Sequence, residues 1–160
     1  RVNEIQKICN SFNLKSQILS EDDLIREESE IIIINSFGYL DQFFKIAKSV
    51  FIGKSINPKL KDQGGQSPID AATLGCKIYH GPYVYNFKEI YEILKKNEIT
   101  EEIKNFDELA FKIKNDLSVE SKNYDKFRQI MISLKQDTLN KTMREVNNFL
   151  SNETLSLSNG

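Results

Sequence analysis

Residues 51–90 read FIGKSINPKLKDQGGQSPIDAATLGCKIYHGPYVYNFKEI and decide how the chain folds. They hold all three prolines of the protein and five of its seven glycines. Both residue types change the direction of the backbone, so their concentration indicates sharp turns between short elements. The apolar residues between the turns predict a strand over 49–52, a helix over 68–74, a strand over 76–80 and a further helix that begins near residue 85.

The loop GGQSPID, residues 64–70, joins a glycine pair to the start of a helix. Ser67 is a favoured N-cap residue, Pro68 suits the first turn, and Asp70 completes a capping box. A glycine pair lets a ligand approach the backbone closely, and the N–H groups at a helix start attract an anion. The spacing matches neither a Walker A loop nor GxGxxG. On these residues alone, helix capping and ligand binding both remain open for Ser67 and Asp70.

The composition is that of an ordinary water-soluble chain of 160 residues, enough for one domain, which we place at 1–150 with a frayed tail at 151–160. A formal net charge of −1 argues against a general nucleic-acid binder. Cys9 and Cys76 are far apart in apolar surroundings, which favours reduced, buried thiols in a cytoplasmic protein. No apolar run of the given sequence is long enough to span a membrane, and we expect no signal peptide.

The rest of the chain alternates helical and strand patterns. Ile31–Ile34 is a continuous β-branched run, typical of a parallel strand covered on both faces. The alternation predicts an α/β fold with a Rossmann-like parallel sheet flanked by helices, followed by C-terminal helices with a break near 136–137. Ligands bind such sheets at the carboxyl ends of the strands. We therefore expect one rim to carry the turns at 36–38, 53–55 and 81–83, beside the glycine pair.

The order of glycines, prolines and polar residues in 51–90 carries a resemblance to a known family. The pattern consists of Gly53, Ser55, Gly64, Gly65, Pro68, Asp70, Ala72, Gly75, Gly81, Pro82, Asn86, Phe87 and Ile90. It resembles the carboxy-terminal domain of the 3-deoxy-D-manno-octulosonic acid (Kdo) transferases, which are glycosyltransferases of the two-domain GT-B type. The resemblance implies a donor-binding domain, truncated at its N-terminal side, that is a fragment of a longer two-domain enzyme.

The resemblance also implies a function for the full-length chain, which is to move Kdo from CMP-Kdo to a lipid A precursor at the cytoplasmic side of the bacterial inner membrane. The acceptor, any peripheral membrane contact and the general base, a Glu, would belong to the absent amino-terminal domain. We therefore expect no catalytic residue, metal, cofactor or nucleic-acid partner in this chain, and no activity from it alone. Two alternatives stay open: the donor domain of a GT-B transferase with another nucleotide, such as UDP, and a non-catalytic α/β interaction module.

The resemblance implies a set of nucleotide-binding residues. They are Phe37, Gly38, Ser55, Gly64, Gly65, Gln66, Ser67 and Asp70. In the family, main-chain atoms of the turn at Phe37 and Gly38 read the cytosine, and Asp70 stands where a Glu would accept hydrogen bonds from the ribose. Ser67 and Asp70 are both shorter than the Asn and Glu of the family. His80, the single histidine, is assigned no role, because a lone histidine at a strand end is more often structural.

Overall fold

The computed structural model describes residues 1–20, 22–36, 38–118 and 124–158 of the chain. The chain divides into two compact units, Arg1–Leu40 and Asp41–Gly160. Each unit contains its own sheet of parallel strands together with helices. The predicted α/β class, with parallel strands flanked by helices, is therefore confirmed. The single domain over 1–150 stays a prediction.

In the first unit, one helix precedes two parallel strands. The helix α1 (Val2–Ser11) is followed by Asn13, whose φ of 56° is left-handed and stops the helix from continuing. The strands β1 (Ser16–Leu19) and β2 (Ile31–Ile34) pair in parallel, and α1 contacts both of them. The apolar pattern predicts a helix over 5–12 and strands over 15–19 and 31–34, and all three elements are found there.

The second unit contains a parallel sheet in the order β3 (Ser49–Phe51), β4 (Lys77–His80) and β5 (Thr100–Glu102). The central strand β4 is paired on both sides, and its side chains alternate between two apolar clusters. Ile78 packs in one cluster and Tyr79 in the other. Burial on both faces is what a mostly apolar strand in the middle of a parallel sheet requires.

The remaining helices connect these strands or follow them. They are α2 (Leu40–Ile46), α3 (Ile69–Thr73), α4 (Lys88–Lys96), α5 (Phe106–Ser118) and α6 (Tyr124–Ser158), with 3₁₀ helices at Pro58–Gln63 and Tyr85–Phe87. Ala72 of α3, Leu94 of α4 and Met131 of α6 pack in the cluster around Ile78, and Cys76 is fully buried there, as predicted. Among the described residues, none of the helices combines the length and apolar character that a bilayer crossing requires.

Two boundaries differ from the sequence prediction. The helix α6 is continuous, so the break predicted near 136–137 is wrong, and the backbone of 151–158 is helical. Gln136 does not interrupt the helix, because its amide bonds Asn140 one turn later, at 3.1 Å. The sequence predicts an edge strand over 98–100, but β5 begins at Thr100, because α4 is followed by a turn where Glu98 has a φ of 60°.

Candidate functional site

Ser55 joins the turns that follow β3 and β4. Its side chain is fully buried, and its Oγ donates to the carbonyl of Ile52 at 2.5 Å and accepts from the N–H of Gly81 at 2.9 Å. The N–H of Tyr83 donates to the carbonyl of Ser55 at 2.9 Å. A Cβ on Gly81 would lie 2.3 Å from the Ser55 carbonyl oxygen, so only glycine fits there. Two of the three predicted turns, 53–55 and 81–83, therefore lie side by side.

His80, the last residue of β4, fixes the other side of Gly81. Its Nδ1 lies 2.7 Å from the Gly81 carbonyl, which can only accept, so Nδ1 carries a proton. The imidazole is 3% exposed and lies against the ring of Tyr91, with the ring centroids 4.3 Å apart. Burial lowers the pKa of His80 below its ordinary 6.5, although the bond to Gly81 opposes this shift. His80 is therefore a neutral side chain that holds the turn.

The glycine pair follows the first 3₁₀ helix, which is capped where the Asn57 side chain accepts from the N–H of Lys59. Gly64 and Gly65 have left-handed φ values of 64° and 74°. A Cβ on Gly64 would meet the Asn86 amide at 2.4 Å, and one on Gly65 would lie 3.0 Å from a carbonyl oxygen of the 83–86 segment. The sequence argument expected a ligand at this close approach, but the α-carbons of both glycines face the protein's own chain.

Three side chains donate hydrogen bonds to carbonyl groups in the glycine loop or just before it. Their donors are Tyr85 Oη to the carbonyl of Asp62, Asn86 Nδ2 to that of Gln63 at 3.1 Å, and Tyr91 Oη to that of Gln66 at 3.1 Å. All three donors lie after β4, in the second 3₁₀ helix or in α4. The loop is thus fixed from one side, through its carbonyl oxygens.

The N–H groups of 65–67 differ from that of Gly64, which donates to the Lys61 carbonyl at 3.1 Å. Among the described residues, none accepts a hydrogen bond from the N–H of Gly65, Gln66 or Ser67. Gly65 is buried, whereas Gln66 and Ser67 are exposed. Because unpaired backbone donors attract anions, the segment 65–67 is a candidate contact for a phosphate or carboxylate.

The helix behind the loop differs from the prediction. The capping box at Ser67 and Asp70 is wrong, because α3 begins at Ile69 and its N-cap residue, Pro68, makes no side-chain cap bond. The Ser67 hydroxyl accepts from the Ile69 N–H at 3.3 Å, and the carboxylate of Asp70 is exposed. A helix of five residues has a small dipole. The electrostatic attraction for an anion therefore depends on the N–H groups of the loop.

The predicted site residues divide between the two units. In the second unit, Ser55, the loop 64–67 and Asp70 share one neighbourhood, with the Ser55 hydroxyl used internally. Gly38 belongs to the first unit and has a left-handed φ of 88°, and Phe37 lies outside the described residues. Within the part of the chain that the structure describes, no cluster of His, Cys, Asp and Glu could hold a metal ion.

Tyr91 is the site residue that sequence reasoning missed. It lies on the apolar face of α4, and that pattern marks it as a core residue. Its hydroxyl reaches a carbonyl 25 positions earlier in the chain. A pairing of that kind leaves no local pattern, and the only available signal was a tyrosine, rather than a purely apolar residue, on a buried helix face.

Comparison with known proteins places the chain beside one group of enzymes. It is 30% identical over 154 residues to a 3-deoxy-D-manno-octulosonic acid transferase of Rickettsia felis, covering 94% of this chain and 32% of that protein. The transferase of the same name from Aquifex aeolicus is 29% identical over 105 residues, covering 64% of this chain and 29% of its own length. The chain is a relative of the Kdo transferases. No protein family model matches it.

The relationship to the Kdo transferases covers part of those proteins. This chain spans about a third of the length of the curated relatives it matches. A crystal structure described as the C-terminal CMP-Kdo binding domain of WaaA from Acinetobacter baumannii superposes with a TM-score of 0.71 at 19% identity. The match covers 85% of this chain and 68% of that domain. At this identity the superposition shows a shared fold.

Proposed function

We propose that this chain is the donor-binding part of a Kdo transferase and binds CMP-Kdo through its nucleotide. The observation that carries the proposal is the segment 65–67, whose three N–H groups make no hydrogen bond to any described residue, while the Tyr91 hydroxyl holds the carbonyl of Gln66. The sequence relationship to Kdo transferases and the fold shared with a CMP-Kdo binding domain support the choice of nucleotide.

Seven of the eight predicted residues have a proposed role. The N–H groups of Gly65, Gln66 and Ser67 bind the phosphate of CMP, and the exposed carboxylate of Asp70 accepts from the ribose hydroxyls. Ser55 has a structural role, since its hydroxyl is buried and already paired and holds the turn at Gly81 in place. Main-chain atoms at Phe37 and Gly38 read the cytosine, as the family resemblance implies.

The reaction proposed for the full-length protein transfers Kdo to a lipid A precursor at the cytoplasmic side of the bacterial inner membrane. The general base that deprotonates the acceptor hydroxyl lies in the part of the protein that this chain does not contain. The N–H groups of the loop stabilise the negative charge that grows on the departing CMP phosphate. The chain alone therefore binds nucleotide weakly and transfers no sugar.

Calorimetric titration of the full-length protein with CMP and with UDP tests the proposal. We expect CMP to bind and UDP to bind much more weakly. Asp70→Asn should weaken CMP binding about tenfold, because a hydrogen bond to a charged group contributes about 1.5–3 kcal/mol. Asp107→Asn is the matched control, since Asp107 is also an exposed acid in the first turn of a helix, α5.

Other outcomes would redirect the assignment. Preference for UDP would identify a donor domain for another nucleotide sugar, and binding of neither nucleotide would indicate an interaction module without a ligand. Kdo transfer by the 160-residue chain alone would contradict the placement of the general base elsewhere.

A further inference from the structure

Tyr91 connects the glycine loop to the core beneath it. Its side chain is 4% exposed, its Oη donates to the carbonyl of Gln66 at 3.1 Å, and its ring lies against that of His80. Burial raises the pKa of the Tyr91 hydroxyl, so the group keeps its proton and remains a donor. The bond to Gln66 is therefore a stable feature of the folded protein.

This bond determines where the next N–H points. The described residues contain no cis peptide, so the bond between Gln66 and Ser67 is trans. In a planar trans peptide, the C=O and N–H groups point in opposite directions. Since Tyr91 binds the Gln66 carbonyl from the α4 side, the Ser67 N–H is directed away from α4.

We propose that Tyr91 is a positioning residue for donor binding, which orients the Gln66–Ser67 peptide so that the Ser67 N–H donates to the phosphate of the nucleotide. The inference rests on the proposed function and adds a residue outside the pattern that carries the family resemblance. Asp62 and Gln63, whose carbonyls Tyr85 and Asn86 bind, lie in the 3₁₀ helix Pro58–Gln63, which has hydrogen bonds of its own. The Gln66–Ser67 peptide lies outside any helix and depends on Tyr91.

The test is Tyr91→Phe in the full-length protein, which removes the hydroxyl and keeps the ring against His80. Tyr79→Phe is the matched control, because Tyr79 is 3% exposed and donates to Asp116 Oδ2 at 3.0 Å, so this change also removes one hydroxyl hydrogen bond. By calorimetry, Tyr91→Phe should weaken CMP binding about threefold to tenfold, and Tyr79→Phe should leave it unchanged.

Two further measurements separate positioning from general loosening of the fold. Cytidine, which lacks the phosphate, should bind Tyr91→Phe as it binds the unaltered protein, since only the phosphate contact is lost. An equal loss for CMP and cytidine, or an unchanged CMP affinity, would overturn the inference.

The loop can also be observed without a ligand. In protein with ¹⁵N-labelled serine, the heteronuclear NOE of the Ser67 amide should fall in Tyr91→Phe and stay constant in Tyr79→Phe. An unchanged NOE overturns the inference whether or not CMP binds. If the unaltered protein binds no CMP, the proposed function is wrong and CMP is not the ligand of this loop. A lowered NOE in Tyr91→Phe would still support Tyr91 as the residue that orients the Gln66–Ser67 peptide.

Discussion

Two neighbouring glycine segments of the second unit differ in whether their backbone N–H groups are hydrogen-bonded within the protein. In the closed turn, residues 80–83, the Gly81 N–H is bound by Ser55 and the Gly81 carbonyl by His80. In the open loop, residues 64–67, the carbonyl of Gln66 is bound by the Tyr91 hydroxyl, and the carbonyl of Gln63, just before the loop, is bound by Asn86. The N–H groups of 65–67 make no hydrogen bond to any described residue.

The difference shows that glycine content alone does not identify a binding loop. Glycine is required in the closed turn because a Cβ on Gly81 would collide with backbone atoms, and in the open loop because Gly64 and Gly65 have left-handed φ values. In the closed turn the N–H groups of Gly81 and Tyr83 both donate to Ser55, so they are not available to a ligand. The open loop includes the exposed residues Gln66 and Ser67, where unpaired donors are tolerated because water can bind them. A glycine segment is therefore a candidate anion site when its exposed N–H groups are unpaired, and a structural turn when its N–H groups are bonded internally.

The largest expected effect is that of Gly81→Ala in the closed turn. The new Cβ would lie 2.3 Å from the Ser55 carbonyl oxygen and 2.5 Å from the Ile56 α-carbon, and both neighbours are backbone atoms that cannot rotate away. We expect the free energy of unfolding to fall by about 3 kcal/mol, as for severe overpacking. Urea denaturation followed by circular dichroism measures the change.

Gly53→Ala is the control for this substitution. No described atom lies within 4 Å of a Cβ placed on Gly53, so the change should stay within about 0.5 kcal/mol. Equal stabilities for the two variants would mean that the turns after β3 and β4 are not in contact.

The sequence predicted the elements around these segments better than their contacts. The strand β2 was found because a continuous apolar run marks a parallel strand covered on both faces, and β4 was found because turn residues bound it. The pattern Asn105-Phe106-Asp107-Glu108 predicts a capping box, and half of it forms, because the Asn105 side chain accepts from the Glu108 N–H at 2.8 Å. The Glu108 carboxylate accepts from the neighbouring Lys104 N–H at 2.9 Å. These features depend on local spacing, which a sequence displays directly.

The same reasoning failed where distant contacts decide the outcome. The box at 67–70 has an acceptable pattern but does not form, because α3 starts only at Ile69. The pairing of Ser55 with Gly81 and that of Tyr91 with Gln66 join residues 26 and 25 positions apart. No local periodicity encodes such pairs, so the sequence predicted the candidate site as a list of residues and not as an arrangement of donors.

The second expected effect is that of Ser55→Ala, which leaves the buried Gly81 N–H without an acceptor. A buried, unpaired donor costs about 1–3 kcal/mol, and we expect a loss of that size in the free energy of unfolding. Ser118→Ala is the control, because Ser118 also donates to a carbonyl, that of Asn115 at 2.7 Å, but in an exposed position. Reduced CMP binding by Ser55→Ala at unchanged stability would instead mean that the hydroxyl contacts the nucleotide.

The smallest expected effect is the pH dependence that His80 confers on the closed turn. Burial lowers the folded-state pKa of His80 below 6.5, and the charge of Glu102 opposes this shift while that of Lys95 adds to it. Between that lowered pKa and 6.5 the unfolded chain binds more protons than the folded protein, so stability rises with pH in this window and is lost on acidification.

Urea denaturation at about pH 7.5 and about pH 5.5, on either side of an ordinary histidine pKa, should show a smaller loss of stability for His80→Met than for the unaltered protein. An equal or larger acid loss for His80→Met would show that the imidazole accepts a proton without disturbing Gly81, and the closed turn would then be less tightly closed than its hydrogen bonds indicate.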